Sequence, residues 1–399
     1  MQIGLVGLPS AGKSTFFSAA TLVDVEMANY PFTTIEPNKG TGFVRVDDPA
    51  SFFNVVSNPR SGFVAHGTRF VPVELIDVAG LVEDAYLGKG LGNKFLNDLS
   101  QADALIHVVD VSGSTDLEGK PCSPGSSDPV KHVSLLVNEI DMWFFSIISK
   151  NWAKIEKNPA KEKSKKLELL SQILSGLKIR SVHIEKAMSV LSLFDKQFSF
   201  WSDVDKKNFA IECRKFSKPI IIAANKADIP SSKNNISSLK SNFPNLLIVP
   251  CSAVSELALR KAAKDDFIEY FPGDSSFKIL KPLSDKQKSG LDIISSSVLS
   301  PFSETGVQKC IDLTVFSLLN FVAVFPGGVK KLSDSQGRIL PDCFLLPPNS
   351  TALDFAFALH TDMGRGFIKA IDVKSKQMVS KEHVLKTGDV IEIVFRKPD

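Results

Sequence analysis

The short apolar stretch Gln2–Val6 runs directly into Gly7-Leu8-Pro9-Ser10-Ala11-Gly12-Lys13-Ser14, and Thr15-Phe-Phe-Ser-Ala-Ala follows with helix-like character. This order, a strand, then GxxxxGK[ST], then a helix, constrains the chain more than any other feature, because the loop works only between a buried strand and a helix N-terminus. Its glycines let backbone N–H groups converge on phosphate oxygens without Cβ clashes, and the helix end adds partial positive charge. Lys13 is placed to neutralise β and γ phosphates, and the Ser14 hydroxyl to ligate Mg²⁺. Residues 7 to 15 are therefore candidate nucleotide-binding residues, with Gly7, Leu8, Pro9, Ser10, Ala11, Gly12 and Thr15 contributing backbone around Lys13 and Ser14.

Four further apolar runs read as strands buried on both faces: Phe70–Val78, Ala104–Val109, Pro219–Ala224 and Leu246–Pro250. Alternating with helical stretches, they predict an α/β fold, a doubly wound and mainly parallel sheet of the P-loop nucleotide triphosphatase kind. A length of 399 residues calls for two or three domains, and a 43% hydrophobic share excludes wholesale disorder. Between the third strand and Pro219 lie about a hundred residues that are Lys-rich, with Leu167, Leu170, Ile173, Leu174 and Leu177 at helical spacing around Gly176. This predicts an inserted helical hairpin. From about Thr305 short half-buried strands surround one helix opened by a capping box at Thr351–Asp354, with Leu353 and Phe357 one turn apart. The domain expectation is 1–140 plus 219–304 for nucleotide binding, 141–218 for the insertion, and 305–399 for a small α+β module.

Three more motifs follow in order. Asp77-Val-Ala-Gly80 closes a strand, so Asp77 can hold Mg²⁺ and the Gly80 N–H can meet a γ-phosphate. Asn225-Lys226-Ala-Asp228 follows a strand directly. Its Asp228 carboxylate can accept from guanine N1–H and the exocyclic amine, donors that adenine does not present together, while Asn225 braces the loop and the Lys226 stem covers the base. Ser252 and Ala253 follow the last strand as a base-contacting loop. Between the first two motifs, Tyr30-Pro-Phe-Thr33-Thr34 supplies a threonine able to close over Mg²⁺; spacing leaves Thr33 and Thr34 both open, and Thr34 is taken with Lys13 and Gly80 as catalytic. The glycine-rich stretch after Gly80 fits a loop that orders on triphosphate. His66, His107 and His132 share no metal-ligand spacing, and Asp110 at a strand end reads as a local structural residue.

Together these motifs resemble the Obg family of P-loop GTPases, in its YchF (Obg-like ATPase) branch and archaeal form. YPFTTIEPN, HGTRFVPVELIDVAGLV and GKGLGNKFLNDLSQADALIHVVD carry the likeness; the stretch around EIDMWFFSIISKNW resembles the branch's coiled-coil-like helical domain, and the C-terminal KLSDSQGRILPDCFLLPPNSTALDFAFALH a TGS domain, a ubiquitin-like β-grasp module. The resemblance implies Mg²⁺-dependent nucleotide hydrolysis and association with ribosomes or ribosomal RNA in translation. Many members have Glu at the last NKxD position and prefer ATP; Asp228 here favours GTP and GDP, with ATP the alternative ligand. A third reading is a nucleotide-gated ribosome adaptor with incidental turnover. Leu81 stands where many GTPases place a water-orienting Gln, which implies slow intrinsic hydrolysis. Tyr86 replaces a His common in the branch, and Ser10 an Asn that supports a potassium ion in related GTPases.

The net charge of +3 conceals 9 basic and 16 acidic residues in 1–140 against 16 basic and 9 acidic in 141–218. Positive charge gathered on the insertion, including the Lys161–Lys166 cluster, points to RNA contact there or to balance of the acidic nucleotide domain. No DNA partner is expected. Five cysteines scattered singly fit a reduced, cytoplasmic setting. No apolar run reaches membrane-spanning length, and the N-terminus enters a strand at once, so neither membrane nor signal peptide is expected.

Overall fold

The computed structural model describes residues 1–22, 38–78, 98–157 and 162–396. Thr33, Thr34, Gly80, Leu81, Tyr86 and Lys161 lie outside the described residues. The chain divides into two compact units. The first comprises residues 1–20, 36–40 and 74–310, the second residues 21–35, 41–73 and 311–399.

The first unit is built on a parallel sheet. Strand β1 (Gln2–Val6) pairs on one side with the end of β4 (Thr68–Asp77) and on the other with β5 (Ala104–Asp110), and β6 (Ile220–Asn225) and β7 (Leu247–Pro250) extend the sheet. Every residue of β5 and β6 is buried, which is why both read as nearly continuous apolar runs, broken in β5 by His107. Helix α1 (Lys13–Thr21) follows β1, α6 (Ser232–Asn242) follows β6, and α7 (Ala253–Lys264) follows β7. Beyond α7, the two-stranded pair β8 (Ile268–Glu269) and β9 (Lys278–Ile279) and helix α8 (Asp285–Ile294) close a satellite core around Leu259, Tyr270 and Leu299.

Among the described residues the insertion has four helices rather than a hairpin: α2 (Pro129–Glu156), α3 (Lys163–Leu174), α4 (Ser181–Val190) and α5 (Asp203–Ser217). The break near Gly176 is real, a single tight turn at Ser175–Leu177, but the apolar spacing that marks one amphipathic helix cannot show how many neighbours share its buried face. Trp143, Trp152, Leu170, Phe198 and Trp201 of this region belong to one continuous core with Val6, Leu105 and Ile222 of the sheet. Within the expected Lys161–Lys166 charge cluster, Lys163 and Lys165 are exposed, and Lys166 departs from the expectation. Lys166 is buried and donates to the carbonyls of Phe194 (2.5 Å) and Lys196 (3.1 Å), while Lys163 pairs with Glu185 and Lys165 with Glu162.

Helix α9 (Val307–Leu313) precedes the five-stranded sheet of the second unit. Its strands are β10 (Val322–Pro326), β11 (Phe344–Leu346), β12 (Phe367–Asp372), β13 (Gln377–Val379) and β14 (Val390–Phe395). Helix α10 (Ala352–Leu359) packs Ala352 and Phe355 against Val324, Leu346, Ala370 and Ile391, buries Ala356 as well, and leaves Phe357 exposed. Its capping box forms: Thr351 N donates to Asp354 Oδ2 (2.8 Å) and Asp354 N to Thr351 Oγ1 (3.2 Å). A short helix, α11 (Thr361–Arg365), places Arg365 at the surface.

The same unit includes β2 (Lys39–Asp47) from Thr41 on, β3 (Phe63–Ala65) and the first part of β4. Arg69 is buried and donates to the carbonyls of Leu340 (3.1 Å) and Pro341 (2.8 Å), and Arg45 pairs with Asp312 at 2.7 Å. Nothing local in residues 41–73 announces this association, since its partners lie some 270 residues along the chain.

Candidate nucleotide site

The P-loop is held from both ends. Gly7 follows β1 directly, and helix α1 begins at Lys13, with Phe16 N already bonded to Gly12 O at 2.9 Å. Gly12 sits at φ +92°, and a Cβ there would collide with the Asn225 side chain, so only glycine fits. Ser10 is also left-handed, at φ +61°. Leu8 and Ala11 are buried, whereas Pro9, Ser10 and Ser14 are exposed and Thr15 is half-buried.

Asp77, the last residue of β4, lies beside the loop because β4 and β1 run parallel, and its carboxylate is ion-paired with Lys13 Nζ. Ser14 and Asp77 thus bring two hard oxygen donors to one end of the sheet, a donor set that suits Mg²⁺. No cluster of three or more His, Cys, Asp or Glu able to hold a metal by protein ligands alone is found among the described residues. His107 is buried in β5, His132 bonds Ser127, and His66 occupies a left-handed turn.

The structure brings the NKxD residues to this same edge. Asn225 Nδ2 donates to Ala11 O (2.9 Å) and Asn225 Oδ1 accepts from Ala253 N (3.0 Å), so one side chain ties the P-loop to the loop after β7. Cys251 N bonds Ala224 O at 2.8 Å, and Ala227 N bonds Cys251 O at 3.0 Å, fixing the two loops in parallel. Ser252 is fully buried; its N–H donates to Thr305 O (2.9 Å) and its hydroxyl to Ser255 Oγ (2.8 Å). Asp228 is half-buried, and its Oδ1 is buried with no hydrogen-bond partner among the described residues. A buried carboxylate oxygen left in that state costs free energy until a donor meets it.

Lys226 adopts φ +63° and donates through Nζ to Asp110 Oδ2 (2.8 Å) and Ser114 Oγ (3.3 Å). Asp110 is therefore more than a local strand-end residue. Sequence reading did not connect it to the site, although an Asp followed by Ser112, Ser114 and Thr115 is a visible cluster of potential donors. The loop after Asp110 also reaches the P-loop, where Ser10 Oγ donates to Gly119 O at 2.8 Å.

Comparisons with known proteins match three families along the chain. Residues 2–139 match a family described as 50S ribosome-binding GTPase, residues 223–328 an Obg-like GTPase YGR210-like, G4 motif-containing domain, and residues 327–395 a TGS domain. The chain is 45% identical to a GTP-binding protein of Methanocaldococcus jannaschii over 98% of both chains. It is 28% identical to the ribosome-binding ATPase YchF of Bacillus subtilis over 99% of both. The crystal structure of a GTP-binding protein from Pyrococcus horikoshii superposes with a TM-score of 0.79 at 36% identity, covering 99% of this chain and 100% of that one. With the P-loop, the NKxD loop and the TGS module all in place, the chain belongs to the YchF, or Obg-like, family of P-loop GTPases.

Proposed function

We propose that the protein is a Mg²⁺-dependent nucleoside triphosphatase that binds GTP in preference to ATP and works as a nucleotide switch on the ribosome, in the cytoplasm. The observation that carries the guanine preference is Oδ1 of Asp228, buried and without a hydrogen-bond partner among the described residues. Guanine presents two donors to such a carboxylate, N1–H and the exocyclic amine. Adenine presents no N1–H, so Asp228 would stay unpaired with ATP. Lys13 would exchange its pairing with Asp77 for the β and γ phosphates. Ser14 and Asp77 would hold Mg²⁺, which supplies charge neutralisation at the phosphoryl oxygens when bound. Thr34 and Gly80 would move inward on triphosphate and outward after hydrolysis. The printed name of the Bacillus subtilis relative, a ribosome-binding ATPase, supports ribosome association and makes ATP the competing ligand.

Pairwise titration of the full chain with GTP, ATP and their diphosphates, without and with ribosomes, tests this reading. Tighter GTP than ATP binding is expected, with hydrolysis accelerated by ribosomes. Equal or tighter ATP binding overturns the guanine preference. Failure to co-sediment with ribosomes in any nucleotide state overturns the ribosomal role.

A further inference from the structure

The Asp110 side chain is fully buried at the end of β5, yet it carries the densest set of hydrogen bonds near the nucleotide site. Its carboxylate accepts from Ser112 N (2.9 Å), Ser112 Oγ, Ser114 Oγ (2.9 Å), Thr115 Oγ1 (2.8 Å) and Lys226 Nζ (2.8 Å). Burial by itself would raise the pKa of this group. The bonds from Lys226, Ser112 and Thr115, with the Lys226 charge, outweigh that and hold it below the ordinary carboxylate value.

The same bonds anchor a clip formed by residues 111–128. Thr115 bridges Pro121 in antiparallel fashion, Gly125 N bonds Ser112 O at 2.7 Å, and Ser231 Oγ, in the turn after Asp228, donates to Ser112 O at 2.8 Å. The tip of the clip lies on the P-loop. Gly119 O accepts from Ser10 Oγ, and a Cβ on Gly119 would come within 2.5 Å of Pro9 Cβ. Ser10 and Lys226, the left-handed non-glycine residues of the two loops, are both side-chain partners of this assembly: Ser10 at its tip, Lys226 at its base. Left-handed conformations of such residues persist only where surroundings enforce them.

We propose that Asp110 is a positioning residue for nucleotide binding: through Lys226 and the clip it sets the lysine stem at the base position and the P-loop turn at Ser10 before the nucleotide arrives. The inference rests on the nucleotide-binding reading above and deepens it. A lysine stem meets the face of any purine, so Asp110 governs affinity for GTP and ATP alike, whereas Asp228 governs the choice between them. Holding a flexible lysine in its bound rotamer removes part of the ordering cost of binding, worth roughly tenfold in affinity.

The test is equilibrium binding of GTP and ATP to the full-length wild type and to Asp110→Asn, Lys226→Met, the double variant and Asp228→Ala. Asp110→Asn and Lys226→Met are each expected to weaken both nucleotides by roughly tenfold with the GTP-to-ATP ratio unchanged. The double variant is expected to be no weaker than the weaker single one, because Asp110 acts through Lys226. Asp228→Ala is expected to change the ratio. Wild-type affinity in Asp110→Asn, additive losses in the double variant, or a changed ratio in Asp110→Asn overturns the proposal. A wild type that binds neither nucleotide overturns the functional reading instead. Should Asp110→Asn not fold, Gly119→Ala tests the clip from its tip: severalfold weaker binding of both nucleotides is expected, and wild-type affinity overturns the proposal.

Discussion

Asp228 Oδ1 and the His107 ring nitrogens are buried without hydrogen-bond partners among the described residues, and their chemistry separates them. Asp228 stands at the loop edge of the sheet, where a ligand can supply its donors. On the proposed guanine reading, replacing it by alanine would remove two charge-assisted bonds to the base, so GTP affinity should fall on the order of 100-fold or more while ATP affinity changes little, as read by competition binding. His107 lies in the middle of β5, its pKa pushed by burial, and secondarily by His132, down to about 3. The unfolded chain takes up a proton at this residue below about pH 6.5, and the folded chain does so only near pH 3. Its contribution is intact above pH 6.5 and is lost as the pH falls toward 3, at up to ~1.4 kcal/mol per pH unit. His107→Leu should flatten the acid limb of stability against pH, measured by urea unfolding between pH 7 and pH 4; an unchanged slope would show that the wild-type ring finds a partner when protonated.

Elements here follow local rules where those rules are strong. The run Thr351-Ala-Leu-Asp354 starts α10 with reciprocal side-chain-to-backbone bonds, and Thr351→Ala should cost ~1 kcal/mol, read as a lowered urea midpoint with an unchanged slope. The strands β1, β5 and β6 were legible as apolar runs because both their faces are covered. The insertion was legible as helical but not as four helices, because periodicity reports a buried face and not what buries it. Lys166 shows the same limit from the other side. A lysine in a Lys-rich run reads as solvated, yet its stem lies in the core and its ammonium group caps two carbonyls.

At the scale of the molecule, the first unit carries one core from sheet to insertion. All three tryptophans, Trp143, Trp152 and Trp201, lie in that core, so their fluorescence reports the unit that binds nucleotide. GTP at 100 times its dissociation constant should stabilise the tryptophan-detected transition by ~2.7 kcal/mol. A transition unmoved by GTP would mean that the insertion unfolds on its own. No helix among the described residues is long and apolar enough to cross a membrane. By itself the sequence determined the P-loop, the order of DxxG and NKxD, the α/β class and the capped helix of the TGS module, since each depends on neighbours within a few residues. Only the tertiary structure decided that residues 41–73 join the C-terminal unit, that Asn225 spans from Ala11 to Ala253, and that Asp110 reaches Lys226. Those contacts join positions from 28 to more than 270 residues apart, and no local propensity or periodicity encodes which distant partner a buried polar side chain will meet.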